Sequence, residues 1–574
     1  MKEHNILLTE SASKGKPLDF YPRPSLVRDD SNNYLNLNGK WNLEIIKGDF
    51  NSFNYSNDLS FSKQIIVPYP VESVLSGLEY NLKDDELLIY QKKFRYDFNK
   101  DRTILHIDAS DNFTKVFLNG EFVGENIGGY LPIIIDVTKY IKKQNELVVV
   151  VSDPLDQNYP YGKQKKENGG IWYTKTSGIW KTVWLESVPN DYIEKVRIFN
   201  DIDKRLLKID FFKKDLCNLK IYYKDKLIKD IKSYKSNDLI EFDEIKLWSP
   251  EEPNLYDVII EYKEDIIKTY FGFRKISIVE EDGHKVFALN NKPYFMHGLL
   301  DQGYYPDGIL TPSSLRIMEK DLKIIKEYGF NTLRKHIKVE PEMWYYLCDK
   351  YGIIVWQDFV NSFKYSFFFD SVLPIIGIKG FSPKITFYKK EYKDFYINHS
   401  KRIIDYLYNH PSIVLWTIFN EGWGQFETKK VYNIMKECDK TRIFDSASGW
   451  YSTHRGREFE SKHIYFKPIV IRKHYKIPLV ISEFGGYAYR VDDHSYYNKS
   501  FGYREYDSID SLNDAIYKLY HDEIYGNIKK GVCASIYTQV SDVEEELNGI
   551  MTYDRKVIKL KKEVALKIRD FLKF

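Results

Sequence analysis

Ile413-Val414-Leu415-Trp416-Thr417-Ile418-Phe419-Asn420-Glu421 is the stretch that decides how this chain folds. An apolar run that stops abruptly at an amide and a carboxyl reads as a strand delivering two polar groups at its C-terminal end. Leu479-Val480-Ile481-Ser482-Glu483-Phe484-Gly485-Gly486 repeats the pattern: apolar strand, then glutamate, then a glycine turn. Working outward, six further short apolar runs alternate with amphipathic helices. The predicted strands are Tyr294–Gly298, Phe330–Arg334, Ile353–Trp356, Ile413–Phe419, Arg442–Asp445, Ser461–Tyr465, Leu479–Ser482 and Val532–Tyr537. Eight is the number a (β/α)8 TIM barrel requires, and catalytic groups of that fold sit at strand C-terminal ends. Between the first two strands Leu315, Met318, Leu322 and Ile325 share one helical face. Thr311-Pro312 is the expected N-cap and Gly329 the expected terminator. Met343 to Cys348 followed by Gly352 repeats that logic. The stretch 360–395, with Phe367-Phe368-Phe369, is long and aromatic and reads as a lid, a pocket wall or a packed insertion.

Upstream of about residue 275 the character changes. Thr103-Ile104-Leu105-His106-Ile107-Asp108 alternates at period two, and Asn119-Gly120 joins two apolar runs, a strong hairpin signal because both turn residues need positive φ. Many short strands with turns every few residues argue for β-sandwiches. The expected organisation is a jelly-roll sandwich over 1–188, an immunoglobulin-like sandwich over 189–275 and the barrel over 276–574.

Composition narrows the function. The 574 residues carry a net charge of +3 with the two signs interspersed, which excludes a basic stripe for nucleic acid. Lys163-Gln164-Lys165-Lys166 reads as solvated loop charge. Cys217, Cys348, Cys438 and Cys533 show neither CxxC pairs nor metal-ligand spacing, so no metal, cofactor or disulfide scaffold is expected. No apolar run reaches transmembrane length, and the polar opening Met1-Lys2-Glu3-His4-Asn5 shows no secretory h-region, so the expectation is a cytoplasmic protein that engages no membrane. The 47 Tyr, 35 Phe and 10 Trp suit both β-rich domains and sugar-stacking sites. Trp41, Trp180 and Trp184 read as core.

A solitary glutamate at a strand end is ordinarily a loop residue. Two, each closing an apolar run, suit glycosidic cleavage, which needs one carboxyl to protonate the leaving oxygen and a second opposite it. His410-Pro411-Ser412-Ile413, Asn420-Glu421 and Ser482-Glu483-Phe484-Gly485 resemble glycoside hydrolase family 2. So do Leu37-Asn38-Gly39-Lys40-Trp41, Phe117-Leu118-Asn119-Gly120, Ser177-Gly178-Ile179-Trp180, Leu247-Trp248-Ser249-Pro250 through Asn254-Leu255-Tyr256, and Phe271-Gly272-Phe273-Arg274, in that order along nearly the whole chain. The resemblance implies a retaining exo-β-glycosidase with Glu421 as acid/base, Glu483 as nucleophile and an oligosaccharide or glycoside as substrate. It implies that Asn420 binds the 2-hydroxyl, that Arg334 pairs with the nucleophile and that Tyr465 hydrogen-bonds it. Asp301, Gln302 and Asp358, with Gln357, are the remaining sugar-hydroxyl candidates. Members of the family are often homo-oligomers, and no stretch of this chain names an interface.

The sugar is read from departures. β-Galactosidases and β-glucuronidases carry Ser-His-Tyr-Pro after the second-strand arginine, where this chain has Lys335-His336-Ile337-Lys338. Galactosidases carry Asn-Arg-His-Glu at the first strand, where this chain has Leu300-Asp301-Gln302-Gly303. The Asn-x-Lys that grips a uronate in β-glucuronidases corresponds to Glu546-Leu547-Asn548, behind the acids Glu544 and Glu545, which would repel an anion. A neutral β-linked sugar follows, with β-galactoside first on frequency within the family. β-Mannoside is second on Trp356-Gln357-Asp358-Phe359. Two other classes compete: a carbohydrate-binding protein with a dead barrel, against which both glutamates argue, and metal-assisted hydrolysis using His297, His336 and His463, for which ligand spacing is missing.

Overall fold

The computed structural model describes residues 4–9, 18–28, 33–55, 59–98, 100–366, 368, 372–373, 388–449, 457–472 and 474–572. A six-stranded antiparallel sheet runs in the order Lys63–Val67, Gly39–Lys47, Glu86–Arg95, Gln144–Ser152, Phe113–Leu118, Glu121–Ile127. It faces a four-stranded sheet of Ile133–Asp136, Arg102–Ile107, Val183–Val188 and Tyr34–Asn36. Leu147, Val149 and Val151 point into the shared core with Trp41 and Leu185, while Val148 and Val150 pack on the opposite face with Leu87 and Phe117. Burial on both faces is why that strand is an unbroken apolar run rather than an alternating one. Asn119 (φ 54°) and Gly120 (φ 87°) form the expected hairpin turn.

The second sandwich has a five-stranded sheet and a three-stranded sheet around Leu207, Ile221, Val258 and Phe271. Its edge is Val27–Arg28, paired antiparallel with Asp265–Phe271. An N-terminal segment therefore crosses the division expected at residue 188. The reason is electrostatic: Arg28 is buried between Asp265 (2.8 Å) and Glu186 (2.8 Å), one acid from each sandwich.

The barrel has eight parallel strands: β1 Met296–Asp301, β2 Thr332–Lys335, β3 Ile354–Asp358, β4 Ile413–Thr417, β5 Ile443–Asp445, β6 Glu460–Ile464, β7 Leu479–Gly485 and β8 Val532–Thr538. All eight predicted strands are found, shifted at their ends by up to three residues. The order β5-β4-β3-β2-β1-β8-β7-β6 closes except between β5 and β6, which share no ladder among the described residues. The turn Asn290-Asn291 pairs Leu289 with Lys292, and the hairpin Ile276–Glu281/His284–Leu289 puts Val286, Phe287 and Leu289 among Met296, Trp356, Leu415 and Ile536. That plug seals one end of the barrel, so the glutamates emerge at the other.

The first helix, Leu315–Glu327, starts later than expected. Ser314 caps it by accepting from Ile317 N (3.3 Å), while the Thr311 hydroxyl is buried and donates to Trp180 O (2.6 Å). Gly329 (φ 83°) and Gly352 (φ 68°) terminate the first two helices as expected. Of the aromatic triplet after β3, Phe368 is exposed and Phe367 and Phe369 lie outside the described residues. No helix among the described residues is long and apolar enough to cross a membrane.

Candidate active site

β4 and β7 deliver the two glutamates. Beyond β4 the chain continues through Ile418-Phe419-Asn420 to Glu421, whose φ of 54° is left-handed. That conformation costs a non-glycine residue about 1–3 kcal/mol and turns the carboxyl inward. Glu421 N donates to Ser448 O (3.2 Å), and Ser448 N donates to Phe419 O (2.9 Å), which lock the turn. Glu483 lies inside β7, 5% exposed. Gly485 and Gly486 must follow it: a Cβ there would stand 2.2 Å from the Tyr537 ring and 2.3 Å from the Tyr503 ring.

Between them sits Arg334 on β2, 1% exposed. It donates to Glu483 Oε1 (2.9 Å), Ser482 O (3.1 Å), Asp358 Oδ1 (3.0 Å), Asn420 Oδ1 (2.8 Å) and Ser448 Oγ (3.2 Å). Burial works against this cation, but Asp358 and Glu483 outweigh it and keep it charged. Asp358 pays the same burial cost and is held below its ordinary range by Arg334 and His336 (2.8 Å). Tyr465, just past β6, donates to Glu483 Oε2 (2.6 Å), lies 2.8 Å from Thr538 Oγ1, and stacks on Tyr503 with centroids 3.8 Å apart.

His463, named in sequence only as a ligand of the competing metal-assisted reading, links the pair. Nδ1 is 2.7 Å from Glu421 Oε1 and 3.4 Å from Glu483 Oε2. Nε2 is 3.3 Å from Arg334 Nη1. Burial pushes the imidazole down to about 3, so it is neutral. The guanidinium can only donate, so Nε2 accepts and the ring proton resides on Nδ1, shared toward the glutamates. Nδ1 and oxygens of Glu421 and Glu483 all lie within 4.8 Å of one another, a spacing a cation would accept. With its proton on Nδ1, however, His463 has no lone pair there to offer a metal. Glu421 is raised above the ordinary carboxyl range, chiefly by burial. The signal for His463 was available in sequence: two residues before Tyr465 on one strand, it shares that residue's face.

The other expected residues fare differently. Asp301 pairs with Lys335 Nζ (2.6 Å) and accepts from Gly303 N (2.9 Å). In register with Lys335 rather than Arg334, it turns away from the barrel interior, which speaks against the sugar-binding role expected for it. Gln302 is buried, and its Oε1 has no hydrogen-bond partner among the described residues. Gln357 is tied to Tyr345 OH (2.6 Å) and Lys338 O (2.8 Å). Sequence reasoning missed what the first sandwich brings. Trp172 meets Trp423 and Tyr365 edge-on (5.1 and 5.0 Å), and Tyr173 OH donates to Glu546 Oε2 (2.6 Å). Lys163 is not plain loop charge: it is half-buried and is the strongest cation acting on Glu421.

Two β-sandwiches leading into a TIM barrel, with a half-buried glutamate just beyond strand four and a buried one in strand seven, define the architecture of a glycoside hydrolase. Residues 281–569 match the TIM barrel domain of glycosyl hydrolases family 2, residues 203–274 match the family 2 domain, and residues 79–189 match its sugar binding domain. The chain belongs to glycosyl hydrolase family 2. It is 27% identical over 345 residues to a putative β-glucuronidase of Formosa agariphila, covering 55% of this chain and 37% of that protein. It is 25% identical over 464 residues to a β-galactosidase of Thermoanaerobacterium thermosulfurigenes, covering 72% and 60%. These matches span 37% and 60% of the relatives' lengths, less than two thirds of each. The solved structure of a β-D-glucuronidase of Dictyoglomus thermophilum superposes with a TM-score of 0.74 at 18% identity, covering 96% of this chain and 98% of that one, a likeness of fold.

Proposed function

We propose that the protein is a retaining exo-β-glycosidase acting on terminal, neutral, β-linked sugars, with β-galactosides first. The observation that carries this reading is the Glu421–Glu483 pair, with one carboxyl oxygen of each within 4.8 Å of the other, which suits the close pair of a double displacement better than the wider pair of an inverting enzyme. Glu483 Oε2 or Oε1 attacks the anomeric carbon as the protonated Glu421 gives its proton to the departing glycosidic oxygen. The product is a glycosyl ester on Glu483 and a free alcohol. Loss of the Glu483 charge then suits Glu421 to take a proton from water, whose oxygen attacks the same carbon and frees Glu483. Arg334 and Tyr465 hold Glu483 in line, and Asn420, anchored by Arg334, presents its amide to the 2-hydroxyl. Asp358 serves below them by fixing Arg334.

The neutral sugar is supported at the loop after β8. Glu546 binds Tyr173 OH and Asn548 Nδ2 (2.9 Å), and Asn548 Oδ1 accepts from Gln539 (2.7 Å), so this loop offers a carboxylate and an amide and no cation. A β-mannoside is the second choice. Residues 1–188, 189–275 and 276–574 serve as the three working units, with Val27–Arg28 lent to the second. The test is hydrolysis of 4-nitrophenyl α- and β-glycosides by the wild type and by Glu483→Gln, with the product anomer followed by NMR. Cleavage of one neutral β-glycoside with β-product first, lost in the variant, is expected. Inversion, or activity that survives the substitution, sinks the reading.

A further inference from the structure

Lys163-Gln164-Lys165 runs beside the proposed acid/base. Gln164–Lys165 pairs in parallel with Tyr173–Thr174, and Gln164 is fully buried, donating to Asp111 (2.9 Å) and Tyr130 (3.2 Å). Strand alternation sends both lysines to the opposite face. There their ammonium groups lie 5.7 and 5.9 Å from the centroid of the half-buried Trp172. Trp172 in turn leans on Trp423, two residues beyond Glu421. Neither lysine forms an ion pair among the described residues, whereas the acids across the loop are engaged: Glu544 by Asn168 and Thr174, Glu545 by Gly170 N, Glu546 by Tyr173. Trp423 thus joins Trp172 and its lysines to the turn that carries Glu421, and the Lys163 charge acts on that carboxyl. An acid/base must touch the glycosidic oxygen, so what borders its turn lies within reach of the leaving group.

We propose that Lys163, Lys165 and Trp172 form the leaving-group subsite, and that it takes an aglycone with a flat apolar face and an anionic substituent, a carboxylate or a sulfate. This rests on Glu421 being the acid/base. An aromatic ring stacks on such a face, and an unpaired ammonium supplies a point charge to either anion.

The experiment compares wild type, Lys163→Met and Lys165→Met on β-glycosides of phenol, 4-hydroxybenzoate and 4-hydroxybenzenesulfonate, the last standing in for a sulfate ester. Differences in leaving-group ability cancel when each charged-to-neutral ratio of kcat/KM is compared between proteins. That ratio is expected to fall about tenfold in Lys163→Met, about threefold in the more exposed Lys165→Met, and in wild type as salt rises. The better of the two charged aglycones names the anion. Equal losses on charged and neutral aglycones would reduce Lys163 to a tuner of Glu421 and overturn the proposal. So would a change confined to glycosides of uronic acids carrying a neutral aglycone. If the wild type cleaves no glycoside, the catalytic reading fails, and quenching of tryptophan fluorescence by free 4-hydroxybenzenesulfonate against phenol still reads the subsite. Equal binding of the two, unchanged in Lys163→Met, overturns it there.

Discussion

Arg334 and Lys335 are neighbours on one strand, and each sits at the centre of a buried ionic cluster. Arg334 faces inward and gathers Glu483, Asp358, Asn420 and Ser448. Lys335 faces outward over the Trp344 ring and gathers Asp301 (2.6 Å) and Glu340 (2.8 Å), with Lys338 completing the set 2.9 Å from Glu340. Residue types and burial are alike. The inner cluster ends on carboxyl oxygens that border a second, raised carboxyl and a proton-bearing histidine. The outer one is closed: its cations saturate its anions, which holds Glu340 below its ordinary range despite burial. A buried charge network is thus a site only when one of its members still has chemistry to offer.

The comparison can be broken from the inside first. Glu483→Gln is expected to lower kcat by about 10⁴-fold or more with the denaturation midpoint nearly unchanged. Retained turnover would make the inner cluster structural too. Next, Glu421→Gln should cost about 10²–10⁴-fold and erase the alkaline limb of the pH profile. The sign follows from the state required: Glu421 works protonated and is raised by burial, so wild-type activity persists above the ordinary carboxyl range and falls as pH climbs through the raised value. An alkaline limb that survives in Glu421→Gln belongs to another group. The outer cluster should answer oppositely. Lys335→Met strands Asp301 and Glu340 and is expected to cost about 3–5 kcal/mol in chemical denaturation while kcat changes little. A variant that unfolds normally but does not turn over would erase the distinction. Smallest is Tyr465→Phe, which removes a hydroxyl donor to a charged carboxylate and should cost about 1.5–3 kcal/mol in kcat/KM.

Strand β2 also marks where sequence reading stops. Apolar runs ending in Asn420-Glu421 and in Glu483 were enough to place the barrel and both carboxyls, because strand ends and glycine turns are local signals. Asp301 and Arg334 are each a charged group at a strand end, and without the family resemblance that singles out Arg334 they look alike in sequence. Only the register, Asp301 against Lys335 and Leu300 against Arg334, separates the outward one from the inward one. Val27–Arg28 was assigned to the wrong sandwich because its partner lies 237 residues away at Asp265. Lys163-Gln164-Lys165-Lys166 reads as solvated loop charge for the same reason: nothing near it in sequence says that it borders the turn of Glu421. His463 is legible by its spacing to Tyr465, but sequence alone offers it only as a metal ligand, for which recognisable spacing is missing.

Asn168 of the first sandwich and Glu544 of the last barrel loop are 376 residues apart in the chain and bonded in the fold. On a ribosome moving at about 5–20 residues per second, the first partner waits roughly 20–75 s for the second. Through that interval the sandwich holds up one finished wall, with Trp172 and its lysines turned toward a barrel that has not yet been made. The pocket is therefore among the last things the newborn protein completes, and a nascent chain stalled short of residue 544 owns most of the mass of the molecule and only part of its enclosure.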